Sequence, residues 1–92
     1  MIMVDELKVY PNAWGPFRGG SCHLMTDGPI EELHRFAAQL GLRREWFQDD
    51  RLHPHYDLTA GKRIQALAHG AVFVSAIEQA RQRWNRRNAA KP

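Results

Sequence analysis

The sequence predicts an α+β fold: a small mixed β-sheet of about four short strands covered by two to three helices, in one domain spanning residues 1–92. Three observations lead there. Ninety-two residues hold one small core and exclude a TIM barrel or a nucleotide domain joined to a substrate domain. With 43% apolar and 25% charged residues, the chain has the composition of a folded domain, not a disordered one. The local patterns alternate between short β-prone runs and helix-period segments, in the order β-β-α-(β)-α-β-α.

Leu7–Tyr10 is short and β-prone and stops at Pro11, so it is the first expected strand. Pro11–Ser21 carries Trp14, Gly15, Pro16, Gly19 and Gly20 and reads as a loop with aromatic anchors. Cys22–Thr26 is the second strand. Asp27-Gly28-Pro29 then gives a helix start; Ile30, Leu33, Ala37 and Leu40 form its apolar stripe, and Gly41 ends it. Leu42–Gln48 reads either as an extended piece or as a turn, and Asp49–Arg51 as a loop. His55–Leu58 is a strand. Thr59 caps a second helix reaching about His69, with Ile64, Leu67 and Ala68 inward and Gly70 as its stop. Ala71–Val74 reads as a buried strand. Ser75 and Glu78 have capping-box spacing for a third helix striped by Ile77, Ala80 and Trp84.

Charge is unevenly placed. Residues 81–92 contain Arg81, Arg83, Arg86, Arg87 and Lys91 and no acid, whereas residues 1–80 hold eight basic and ten acidic side chains. A mildly acidic body thus carries a basic C-terminal segment, expected to be helical and then frayed. The single cysteine, Cys22, has no internal partner for a disulfide. Asp5 and Glu6 interrupt the N-terminal apolar residues, and the longest uncharged stretch, Ile64–Ile77, is too short to span a bilayer. A cytoplasmic protein with no membrane partner is expected.

Several runs, taken together, resemble a known family. They are Cys22-His23-Leu24, Glu31-Glu32-Leu33-His34 with Ala37 and Leu40-Gly41, Trp46-Phe47, His55-Tyr56-Asp57, Lys62-Arg63 and Gly70-Ala71. Their order and spacing over roughly residues 7–75 are similar to a bacterial and phage family of small proteins, domain of unknown function 4031. The family brings a pattern and no activity. The resemblance implies that His23, His34, His55, Tyr56 and Asp57 occupy its polar motif positions. It also implies an acidic residue just after the first strand; with that strand at Leu7–Tyr10, the chain has Pro11-Asn12 there instead. His53 and the tail beyond Trp84 fall outside the pattern.

Four groups of residues carry candidate chemistry. His53, His55 and Asp57 share one face of an extended chain, in a run similar to the H-x-H-x-D-H motif of metallo-β-lactamase-type hydrolases. Leu58 replaces the last histidine of that motif, and the chain is too short for that fold. His23, His34, His55 and Asp57, on separate elements, form a second possible set of divalent-metal ligands. Without metal, His34, His55 and Asp57 would be catalytic acid–base groups, a carboxylate orienting an imidazole. Against both stands the plain alternative that each side chain makes a structural bond. Thirdly, Lys62 and Arg63 sit in the first turn of a helix, where cations oppose the dipole unless an anion sits there; with Arg18 and Tyr56 they form a candidate ligand-binding set. Lastly, Arg81, Arg83, Arg86 and Arg87, interleaved with Trp84, suit phosphate or nucleic-acid contact, or simply a solvated helix end. Cys22 next to His23 reads as a buried apolar residue, since neighbours on a strand face opposite sides.

The reading favoured by the sequence is a binding module for a phosphate-bearing ligand, nucleic acid or nucleotide. The alternatives are a small metal- or His/Asp-dependent enzyme of phosphoesterase type and a protein-interaction subunit.

Overall fold

The computed structural model describes residues 1–89. Four strands form one mixed sheet: β1 (Ile2–Val4), β2 (Ser21–Thr26), β3 (Tyr56–Thr59) and β4 (Val72–Phe73), in the spatial order β3-β2-β1-β4. β2 runs antiparallel to both β1 and β3, and β4 lies parallel to β1. The helices are α1 (Ile30–Gln39), α2 (Ala60–Ala68) and α3 (Ala76–Ala89). Two 3-10 turns, Gly15–Gly19 and Arg44–Trp46, interrupt the long loops. The α+β class and the mixed four-stranded sheet agree with the sequence reading. Residues 90–92, including Lys91 of the basic tail, lie outside the described residues.

Alternation along the strands divides the sheet into two unlike faces. Val4, Cys22, Leu24, Tyr56 and Leu58 point to one side, where Leu33, Ala37 and Leu40 from α1 and Ala66 from α2 close the apolar core. Met3, Asp5, His23, Met25, His55 and Asp57 alternate with them and occupy the other. Only α3 lies over that second face, at the end formed by Met3 and Met25, with Gln79 as its buried residue.

The helix ends follow from the sequence. Gly41 adopts φ +81° after α1, and the Thr59 hydroxyl accepts the Lys62 N–H at the start of α2. The Ser75 hydroxyl accepts the Glu78 N–H, and the Glu6 carboxylate accepts the Ala76 N–H, so α3 is tied to the chain just after β1. Gly20 needs to be glycine: at φ +110°, a Cβ would sit 2.9 Å from the Leu7 side chain.

Four expectations are corrected. The first strand is Ile2–Val4; Leu7–Tyr10 contributes only a bridge between Lys8 and Ser21, and Val9 and Tyr10 are exposed. The strand expected over Ala71–Val74 is the two-residue β4 at the sheet edge. Its Val72 and Phe73 are about half exposed, and Ala71 alone is buried. On α2 the residue facing inward is Ala66, not Ile64, Leu67 or Ala68, which are exposed. On α3, Ile77 and Trp84 face solvent and the polar Gln79 faces the sheet, because the surface α3 covers carries methionines and polar groups rather than a deep apolar groove.

Candidate metal centre

The register of β2 against β3 sets His23 directly opposite Asp57 on the polar face. His55, two residues before Asp57, reaches that face because its backbone pairs with Gln48 in an isolated bridge, which holds the chain extended. One donor atom from each of His23, His55 and Asp57 falls within 4.8 Å of the other two. Asp57 Oδ1 lies 3.5 Å from His55 Nε2 and 3.9 Å from His23 Nε2.

Each of the three side chains has its outer atom held by a neighbour. His23 Nδ1 is 2.7 Å from Asp5 Oδ2, and the other oxygen of Asp5 accepts the His23 backbone N–H. His55 Nδ1 is 2.8 Å from the carbonyl oxygen of His53. Gln48 Nε2 donates to Asp57 Oδ2. A carbonyl can only accept, so the proton of neutral His55 lies on Nδ1; the Asp5 carboxylate sets the same tautomer in neutral His23. Both Nε2 lone pairs and Asp57 Oδ1 are then turned toward one point.

Asp5 is almost fully buried. Burial alone would raise its pKa, but the hydrogen bonds from the His23 ring and backbone outweigh it and hold the carboxyl below its ordinary value. The hydrogen bond to Asp5 raises the pKa of His23 against the opposing effect of burial. His53 stacks on His55 with ring centroids 4.9 Å apart; burial, and then the neighbouring His55, lower its pKa.

Sequence reasoning thus found three members of the cluster, grouped His53 with two of them, and missed Asp5. Asp5 was read only as an interruption of an apolar run. It directly follows β1, so an acid stands just after the first strand once that strand is placed at Ile2–Val4. The available signal was the apolar triplet Ile2-Met3-Val4 ending in an acid. His53, set outside the family pattern, packs against both His55 and His23.

The other candidates lie elsewhere. His34 sits on α1 with Nδ1 2.8 Å from the Tyr56 hydroxyl and its ring edge-on to Phe47, away from the three converging donors. Tyr56 is buried in the core, so its ring cannot stack on a ligand from solution. Lys62 Nζ donates to the Leu40 carbonyl at the end of α1 and to Gln65 Oε1. There its charge favours the negative end of the α1 dipole, which accounts for a cation in the first turn of α2. Arg63 Nε donates to the Asp5 carbonyl, 3.1 Å away. Both residues of the expected anion cradle thus have protein partners. Arg18 is exposed on the first 3-10 turn. Cys22 is buried on the core side, and burial pushes its thiol up to about 12, which removes it as a nucleophile at neutral pH.

The α3 arginines separate into two kinds. Arg81 pairs with Glu78 at 2.9 Å, and Arg87 lies over the Trp84 ring. Arg83 and Arg86 instead line a pocket of about 160 Å³ together with His53, Gln79 and Gln82. A wider cleft of about 650 Å³ lies beside the cluster, walled by Trp14, Phe17, Leu42 and Trp46, with Asp57 in its lining.

Among the described residues, no helix is long and apolar enough to cross a membrane. No curated protein and no solved structure matches the chain. A family model does match, over residues 2–87, a longer span than the 7–75 read from the motifs and one that takes in both Asp5 and Arg86. The chain belongs to the family described as "Protein of unknown function (DUF4031)".

Proposed function

We propose that this protein is a small metal-dependent enzyme that hydrolyses a phosphate ester at a divalent ion held by His23 Nε2, His55 Nε2 and Asp57 Oδ1. One observation carries this reading: three donor atoms converge while the other polar atom of each side chain is tied down by Asp5, the His53 carbonyl or Gln48. Metal-binding histidines usually carry such outer partners, which fix tautomer and ring orientation. Spacing supports it as well. Donors at about 2.1 Å from a tetrahedral ion are about 3.4 Å apart, close to the 3.5 and 3.9 Å separations from Asp57 to the two imidazoles, and all three donors lie within 4.8 Å of one another.

Two histidines and one carboxylate suit zinc, manganese or iron, and three protein ligands leave a coordination position open. A divalent ion there supplies Lewis acidity and lowers the pKa of a bound water. Arg83 and Arg86, in the pocket that also contains His53, are the cations placed to hold phosphate oxygens of the substrate beside the centre. In the reaction, a water oxygen forms a new bond to phosphorus, the P–O ester bond breaks, and the alcohol leaves with a proton. The free, buried Cys22 fits a reducing compartment, and we place the protein in the cytoplasm on that ground.

The decisive measurement is calorimetric titration of zinc and manganese into chelator-stripped protein, with bis(p-nitrophenyl) phosphate hydrolysis followed in parallel. One ion per chain is expected, with turnover that chelator abolishes. Asp57→Asn, at an exposed position, and His55→Ala, at a buried one, should each lose both while Asp57→Asn keeps the fold. Metal binding that survives Asp57→Asn and His55→Ala, or native protein that takes up no ion, overturns the site. Turnover without any metal would favour the His/Asp acid–base alternative.

A further inference from the structure

The proposed centre lies between two surface features of opposite character, and the strand register orders them. Along β2 and β3, His23 lies at the level of Asp57 and Ser21 at that of Thr59, with Met25 two residues beyond His23 on the same face. The arginine pocket includes Met25 and His53 at one end of this series, and the aromatic cleft includes Asp57 and Thr59 at the other. From Met25 to Ser21 is about 13 Å of strand, so both features and the centre lie on a single short path.

Each end suits a different chemical group. Arg83 and Arg86 form no salt bridge among the described residues, and the one acid in their pocket, Asp27, is held by the Met1 amino group at 2.7 Å and feels the Arg86 charge only secondarily. Trp14 and Trp46 expose 74% and 52% of their surface while lining the cleft, Trp46 with the Arg43 guanidinium 5.8 Å from its ring centre, so neither ring is spent on the core. A chain of phosphates carrying flat aromatic rings matches both ends together. A bare phosphate leaves the cleft empty, and an uncharged aromatic compound leaves the arginines unmatched.

We infer that the substrate is a single-stranded nucleic acid, laid along the sheet with a base stacked in the Trp14–Trp46 cleft, the scissile phosphate at Asp57, and a neighbouring phosphate held by Arg83 and Arg86. This rests on the proposed metal centre for the cut and on the two flanking features for the substrate class. A duplex keeps its bases stacked inside and has no ring to place in the cleft, so the site selects single strands.

Binding is tested on chelator-treated protein by fluorescence anisotropy, so that failure of the metal centre and failure of this inference are read separately. The probe is a labelled hexamer of deoxythymidylate, compared with an abasic hexamer of the same phosphate number, a hexamer duplex and thymidine monophosphate as a competitor. The thymidylate hexamer should bind about 5- to 150-fold more tightly than the abasic one, the range for stacking of a single base. Trp14→Ala or Trp46→Ala should remove that preference and leave the abasic affinity unchanged. Arg83→Ala with Arg86→Ala should weaken both single strands alike and reduce the salt slope by about 1.4. Equal affinity for abasic and thymidylate hexamers, tighter duplex binding, or undetectable strand binding at millimolar concentration overturns the inference. Thymidine monophosphate binding as tightly as the hexamer overturns it too, and assigns the cleft to a free nucleotide.

Discussion

The two faces of this sheet contrast sharply for so small a domain. On one, Val4, Leu24, Leu33 and Leu58 are fully buried, and the hydroxyl of the buried Tyr56 is met by His34. On the other, separated by the thickness of one backbone, two histidines and an aspartate lean toward a common point with a buried carboxylate behind them. The same alternation that places Cys22 and Leu24 in the core places His23 between them on the opposite side. His23 and Asp57 therefore sit on strands braced from behind by the core, with His55 bridged to Gln48 just before β3, and strands hold a site more tightly than loops do. Substitutions on the two faces should fail in different ways, one losing the fold and the other losing the site.

The largest expected effect lies on the apolar face. Leu58→Ala removes a fully buried side chain from β3 between His23's strand and α2, at a cost of about 2–5 kcal/mol. For a domain of this size that is much of the total stability. Chemical denaturation should show the midpoint falling with little change in slope, and metal affinity should fall only as the folded fraction falls. A Leu58→Ala protein of native stability would mean that the core is looser than its burial implies.

A smaller effect, and one that separates the faces more cleanly, is expected at Asp5. Asp5→Asn keeps the shape of the side chain and removes the charge that orients His23. Loss of such an outer partner lowers metal affinity about 10- to 100-fold. It also weakens a buried hydrogen-bonded pair, at about 1–3 kcal/mol. Zinc calorimetry and thermal melting measure the two effects on one sample. Unchanged zinc affinity in a destabilised Asp5→Asn would show that Asp5 serves the fold alone.

Legibility in the sequence follows the same division. Helix α1 was readable because its period, its proline entry and its glycine exit all agree, and α2 because Thr59 and Gly70 bracket it. The short edge elements were not. Strand β1 has three residues and β4 two, too few for alternation to register, and their partners are far away in the chain. That cost the site its most buried member: Asp5 gains its meaning only when β1 pairs with β2 and sets it beside His23, 18 residues on. His55 and Asp57 were visible as an i, i+2 pair, while pairing them with His23 rather than His34 depended on the register, which local spacing does not carry. On α3, the helix was foreseen and its orientation was not, since the apolar Ile77 and Trp84 outweighed Gln79 in any pattern count.

His34 gives the smallest effect and tests whether the faces are independent. It lies on the core side, joined to the Tyr56 hydroxyl next to Asp57 in sequence but pointing away from it. Burial, and then the nearby Arg44 charge, hold its pKa below the ordinary histidine value of 6.5. The unfolded chain therefore takes up this proton more readily than the folded one. The resulting stability is fully present above pH 6.5 and is lost as pH falls through the depressed folded value. His23 has the opposite sign: its raised pKa gives stability that is present below 6.5 and lost as pH rises through the folded value. The total pH profile therefore mixes the two faces, and only a difference between variants isolates one. His34→Gln keeps a polar partner for Tyr56 and removes the titration, at a cost of about 1 kcal/mol or less at pH 8. The gap in melting temperature between native and His34→Gln protein should narrow from pH 7 to pH 5, while zinc affinity at pH 7.5 stays the same. A gap that does not change with pH would remove His34 from the acid response. A loss of zinc affinity would show that the core face reaches the metal centre through Tyr56 and the backbone of β3, and that the sheet does not insulate the two sides from each other.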